Sequence, residues 1–142
     1  MIRGLDGFMK RLGHAAGDID AALSRELERV ARDGMDMARE LAPVGDGRSG
    51  RHLVDSFSCE ARGLRACVQV TNGHAAYVEF GTGRRGAMSA GVSPANHGYD
   101  GDWPGMAAQP YMYPMAQRMR GEFPERMTRA AREALRTGRN GK

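Results

Sequence analysis

The sequence is short of long apolar runs, short of cysteine and short of clustered catalytic residues, and each shortage removes a class of function. No run of about 18 apolar residues occurs, so the chain offers no segment for crossing a membrane as a helix. The start, Met1-Ile2-Arg3-Gly4-Leu5-Asp6, lacks the charged-then-apolar order of a secretory leader, and the expectation is a protein made soluble in the cytoplasm. Cysteine is limited to Cys59 and Cys67, too few for a disulfide framework and without CxxC spacing; reduced core thiols are expected. Histidines His14, His52, His74 and His97 are dispersed, with no HExxH and no paired spacing for a metal. Carboxylates lie mostly among opposite charges in helical stretches, where a solvated face is the ordinary explanation. Gly81-Thr82-Gly83-Arg84-Arg85-Gly86 is glycine-rich but lacks the GxxxxGK[ST] order of a phosphate loop. No Ser/His/Asp or Cys/His set is evident. The expectation is a protein without catalytic activity, metal or cofactor.

What is present fits one domain of 142 residues with a single modest core. The formal charge of +4 is small, but it is unevenly placed. Residues 118–142 hold eight Lys/Arg against three Glu, while the remainder is nearly neutral, so the basic character belongs to the C-terminus. Residues 1–17, with Gly4, Gly7, Gly13 and Gly17, suggest a flexible arm or at most a short helix around Phe8–Leu12, ordered by a partner. From Asp18 to Leu41 the residues Ile19, Leu23, Leu27, Val30, Gly34, Met37 and Leu41 recur at spacings of three and four, which predicts a long helix capped by Asp18. Pro43 disfavours helical geometry at Ala42 and should end it. Glu28 and Arg32 stand in the favourable i,i+4 order on its outer face.

After the turn chemistry of residues 44–50, His52–Glu60 and Ala66–Thr71 read as two strands of a hairpin around Arg62-Gly63-Leu64. With Gly63 as midpoint, Cys59 would face Cys67, giving close packing or, less favoured, a reversible disulfide. Ala75–Phe80, with Tyr77, Val78 and Phe80, reads as a third strand ended by Gly81-Thr82-Gly83. Residues 83–109 then carry six glycines and no periodicity, a loop long enough to be functional or disordered. Its Trp103, Met88 and Met106 are candidates for contacts made on assembly. Gln109-Pro110-Tyr111-Met112-Tyr113-Pro114 leads into a second helix with Met115, Met119, Phe123, Met127, Ala131 and Leu135 every four residues. Pro114 suits its first turn, whereas Pro124 should kink or divide it. Residues 137–142 read as a basic tail. The fold class expected is α+β: a small antiparallel sheet of three to five strands flanked by a long N-terminal and a kinked C-terminal helix. The domain would span 18–136, with the long loop at 83–109.

Ala75-Ala76-Tyr77-Val78-Glu79-Phe80-Gly81-Thr82-Gly83 resembles the "yA-x-x-(V/I)-E-F-G-T" signature of neck and tail-completion proteins of long-tailed bacteriophages, related to minor tail proteins of the lambda Z type. Three further features fit in order. They are the long helix ending in Ala42-Pro43, the "(S/T)G-x-L-x-x-S" segment met with one extra residue as Ser49–Ser56, and a "Q-P-(F/Y)-x-x-P-A" entry to the last helix. That entry is Gln109–Ala116, with Met115 intervening before the alanine. The likeness covers about residues 18–136.

The resemblance implies a structural virion protein at the head–tail junction, a homo-oligomeric ring of about six subunits around the DNA channel. It implies adjoining neck, tail-tube or tail-terminator proteins as partners, with no membrane and no cofactor. Tail-terminator or head-closure rings are the neighbouring alternatives. Candidate subunit or partner contacts are Tyr77, Glu79, Phe80, Gly81, Thr82, Pro110 and Tyr111 of the matching segments, together with Trp103. Alternation places Glu79 opposite Val78 and Phe80, where it could accept backbone N–H bonds, meet an arginine of a neighbouring subunit, or stay solvated. Arg129, Arg132, Arg136 and Arg139, spaced three and four apart, form a stripe for the DNA channel, for an acidic partner, or for solvent alone. A DNA-binding protein using that stripe is the competing reading from another class.

Overall fold

The computed structural model describes residues 4–44, 52–87 and 104–140. Helix α1 spans Leu5–Leu41 and helix α4 spans Met112–Asn140. Gly34 of α1 meets Met115 and Met119, Glu26 meets Arg126, and Gly138 comes beside Asp18. As numbers fall on α1 they rise on α4, so the two helices form an antiparallel pair. Gly34 belongs at this contact because a Cβ there would approach Met115 Sδ to 3.2 Å.

Helix α1 starts at Leu5 and not at the expected Asp18, which lies well inside it. Of the four glycines in residues 1–17, Gly4 precedes the helix at φ 102°, and Gly7, Gly13 and Gly17 are helical residues with open space beside them. Each costs roughly 1 kcal/mol against alanine, yet helix propagation from a nucleus held by packing is inexpensive. Ala42 is extended (φ −67°, ψ 132°) and its N–H still reaches Ala38 O at 2.9 Å. Pro43 follows and ends the helix where expected.

A single 3-10 turn, Leu53–Ser56, precedes strand β1 (Phe57–Arg62), which pairs antiparallel with β2 (Arg65–Val70). Among the described residues the sheet has these two strands, not three to five. The register also differs from the expected one. Arg62 faces Arg65 across the two-residue turn Gly63-Leu64, with Gly63 at φ 56°. The pairs are therefore Cys59↔Val68 and Glu60↔Cys67. A slip of one residue changes the face of a side chain, so Cys59 is half-buried toward α1 whereas Cys67 is exposed on the outer face. Both thiols are free, and burial pushes the Cys59 thiol up from its ordinary pKa.

The expected third strand is a short helix, α2 (Ala75–Phe80). Asn72 Oδ1 accepts the His74 N–H at 2.8 Å, an Asx turn that starts the coil, and Ala75 and Ala76 favour helix. Gly81 ends it at φ 71°. A second short helix, α3, covers Gly83–Ala87.

The core lies where the hairpin and the start of α4 meet the C-terminal half of α1. Ala38, Ala42, Phe57, Tyr111 and Met115 are buried together, with Met35, Leu53, Val54, Val68, Val70 and Val78 around them. Phe57 and Tyr111 pack edge to face with ring centroids 5.6 Å apart. Burying each large apolar side chain here contributes about 1.5–3 kcal/mol. Farther along the helix pair, Arg126 Nε donates to Glu26 Oε1 and its Nη1 to Asp33 Oδ2, both at 2.7 Å. Burial works against the Arg126 charge, but the two carboxylates outweigh it and hold the guanidinium above its usual pKa. Helix α4 is continuous through Pro124 and is not divided there. It also takes in Thr137–Asn140 of the expected tail.

Candidate functional site

Of the four positions at the start of α4 that lack a helical partner, three, Tyr111, Met112 and Tyr113, carry a backbone N–H. One carboxylate supplies them. Glu79 Oε2 accepts the N–H of Tyr111 at 2.8 Å and of Met112 at 2.9 Å, while Oε1 accepts that of Tyr113 at 2.8 Å. The next residue, Pro114, has no N–H to satisfy. Glu79 is buried, and its negative charge sits at the positive end of the helix dipole. Of the possibilities open for Glu79, the acceptor of backbone N–H bonds is the one observed, with partners in its own chain.

The same junction is closed by backbone bonds. Thr82 N–H donates to Met106 O at 2.8 Å, and Met106 N–H reaches both Thr82 O at 3.1 Å and Thr82 Oγ1 at 2.8 Å. Arg85 N–H donates to Pro104 O and Gln109 N–H to Val78 O. Residues 104–109, the end of the expected loop, therefore run along the end of α2 and the start of α3. Gly105 makes this approach possible. It has φ +60°, and a Cβ there would stand 1.9 Å from Thr82 O. Sequence reasoning counted Gly105 as one of many loop glycines and missed its role. Tyr111, almost fully buried, donates its hydroxyl to Ala75 O at 3.2 Å. Burial and the nearby Glu79 carboxylate push the Tyr111 hydroxyl up to about 12.

The candidate contact residues thus separate by exposure. Glu79, Gly81, Thr82 and Tyr111 are buried in the junction, and Phe80 is half-buried. Tyr77 and Pro110 face outward, with Tyr77 beside the His74 ring at 6.4 Å between centroids. Trp103 and Met88 lie outside the described residues. Among the described residues no group of three or more His, Cys, Asp or Glu could hold a metal ion, and no helix is long and apolar enough to cross a membrane.

A model of the family described as "Bacteriophage HK97-gp10, putative tail-component" matches residues 6–81, just over half of the chain. The chain belongs to this HK97-gp10-like family of phage tail components. No curated protein and no solved structure matches it. The segment shared with the HK97-gp10-like family contains α1, the hairpin and α2, and it ends at Gly81. Glu79 lies inside that segment, while the N–H groups it accepts and the Gly105 approach lie beyond it.

On the outer side of α4, Arg129, Arg132 and Arg136 are exposed and line a shallow groove with Pro124, Glu125, Thr128 and Glu133. Arg139 belongs to the last turn of α4, and the expectation for its side chain lies outside the described residues. Arg126 is not part of this surface, since it is spent on Glu26 and Asp33. A second groove, of about 630 Å³, runs between α1 and α4, lined by Asp18, Arg25, Glu26, Arg29, Arg129 and Glu133 among others. Its charges alternate in sign, so it favours no strongly anionic or cationic ligand.

Proposed function

We propose that this chain is a neck or tail-completion subunit of a long-tailed phage or related particle. In this reading it assembles as a ring of about six copies that joins tail to head and surrounds the DNA channel. Membership of a phage tail-component family carries the proposal. Two physical features support it. The monomer leaves many large apolar side chains exposed, which a closed ring could bury. The Glu79 carboxylate cap and the backbone-to-backbone pairing beside Gly105 are suited to holding a surface in place and not to turnover.

In this reading the exposed Tyr77 and Pro110, on the rim of the junction, are contacts for a neighbouring subunit or adjoining ring. Exposed arginines on α4 favour a second role, weak contact with packaged DNA that ignores sequence. The test is the mass of the purified chain by light scattering with negative-stain imaging, followed by particle assembly without the protein. Ring-shaped oligomers and accumulation of separate heads and tails are expected. A monomer that binds free duplex as tightly as a specific DNA-binding protein would favour the competing reading instead.

A further inference from the structure

Helix α1 does not stop where α4 stops. Gly138, in the last turns of α4, stands beside Asp18, so α1 continues N-terminally past the end of its partner. The projecting part, from Leu5 to about Ala16, is roughly 18 Å long at 1.5 Å per residue. It carries an apolar stripe of its own: Leu5, Phe8, Met9 and Leu12, at the i, i+3, i+4, i+7 spacing that leads into Ile19, Leu23 and Val30. These four side chains are 50–58% exposed. Together they present on the order of 400 Å² of apolar surface, a patch of the size that on monomers is often functional.

A second apolar row is open on the same chain. On α4 the residues Phe123, Met127, Ala131 and Leu135 follow one another every four positions, an i±4 ridge that winds away from α1. Phe123 and Leu135 are exposed at 40% and 50%, and Met127 and Ala131 are half-buried. Ala131 is the small residue of the row, between Met127 and Leu135. The arm supplies ridges of the same kind in Leu5–Met9 and Phe8–Leu12. Interdigitation of two i±4 ridges is the commonest way helices pack.

The two rows cannot meet within one molecule. The ridge lies level with the middle of α1, whereas the arm is a continuous extension of that helix pointing beyond the tip of α4. We propose that the N-terminal arm of α1 docks on the Phe123–Leu135 ridge of a second copy of this chain. Two different patches on one chain make a heterologous contact, and such contacts generate rings when the rotation closes. The inference rests on the ring reading above and names the surfaces that would build the ring.

The experiment uses the full chain with Cys59 and Cys67 replaced by serine. Leu12→Cys and Leu135→Cys variants, differently tagged, are mixed and treated with a short bismaleimide. Cross-linking between the two tags is expected, with little product from Leu12→Cys alone. In parallel, Phe8→Glu with Leu12→Glu should keep the helical circular dichroism of the parent and weaken self-association roughly thirtyfold or more. Efficient cross-linking of Leu12→Cys to itself would mean arm-to-arm contact and overturn the proposal. An oligomer unaffected by the double glutamate variant would overturn it while leaving the ring reading intact. A parent chain that stays monomeric at all attainable concentrations would overturn both.

Discussion

At the residue scale the junction depends on two side chains whose contributions can be separated. Glu79 gives one carboxylate to three N–H groups at the start of α4, and hydrogen bonds to a charged acceptor are worth about 1.5–3 kcal/mol each when their loss leaves donors unsatisfied. Glu79→Gln keeps one acceptor oxygen but loses the second and the charge, so urea unfolding should show a loss of about 1–3 kcal/mol in the monomer. Glu79→Ala should cost more, and unchanged unfolding midpoints for both would show that the cap adds nothing. Tyr111 adds a pH signature. Its hydroxyl is raised from 10 to about 12 in the folded chain. Between those values the unfolded chain has released the proton while the folded chain keeps it, so the folded state binds more protons and stability falls as pH rises. That contribution is complete below pH 10 and is lost as pH approaches 12. Tyr111→Phe should be less stable near neutral pH by about 1 kcal/mol, from the lost bond to Ala75 O. Above pH 10 its stability should fall less steeply than that of the parent, which unfolding followed from pH 9 to 12 would reveal.

At the scale of elements the decisive contact is the approach of residues 104–109 to the α2–α3 connection. Gly105→Ala places a Cβ where Thr82 O already stands, and the backbone must move. The expected result is loss of amide protection at Thr82 and Met106, with a stability cost of at least about 2 kcal/mol, while the α1–α4 pair keeps its helical signal. Protection unchanged from the parent would show that the strand-like approach bends easily. The same comparison marks what the sequence could reveal. The long helices were legible from Asp18 to Leu41 and from Met115 onward because one apolar face repeats every three to four residues over many turns, whereas Gly7, Gly13 and Gly17 hid the first turns of α1. Ala42-Pro43 marked a true end for the same local reason. Helix α2 was not legible: six residues cannot display a period, and Tyr77, Val78 and Phe80 are β-formers by themselves. What decides their conformation is Asn72 starting a turn before them and Tyr111 and Glu79 bonding across 32 positions of chain. The hairpin was legible but its register was not, since placing the turn on Gly63 alone, and not on Gly63-Leu64, reverses every face. Of the candidate site, the EFGT-like and QPYMYP-like segments meet in the fold, and Glu79 works between them inside one chain.

For the whole molecule the open question is how the charge of α4 acts. The C-terminal region is basic in composition, yet the fold removes part of that charge from use. Arg126 is neutralised by Glu26 and Asp33, and Arg118 pairs with Glu122. Arg129, Arg132 and Arg136 remain exposed, with Glu125 and Glu133 in the same groove. One copy therefore presents a weak and mixed field, and appreciable attraction for DNA requires several copies to turn this face to a common axis, as a ring of the proposed kind would. Phosphate contacts give affinity without base information. Replacing Arg129, Arg132 and Arg136 together by alanine should thus weaken binding equally for unrelated duplex sequences. It should also lower the slope of log affinity against log salt by roughly 2–3 per copy in contact. The replacement leaves Arg126 and the α1–α4 tie untouched, so thermal unfolding should stay close to that of the parent. Fluorescence anisotropy on oligomeric protein across a salt series provides the measurement. An unchanged slope would show that these arginines are a solvated face of α4, and that contact with the genome, if the particle makes any here, comes from another surface.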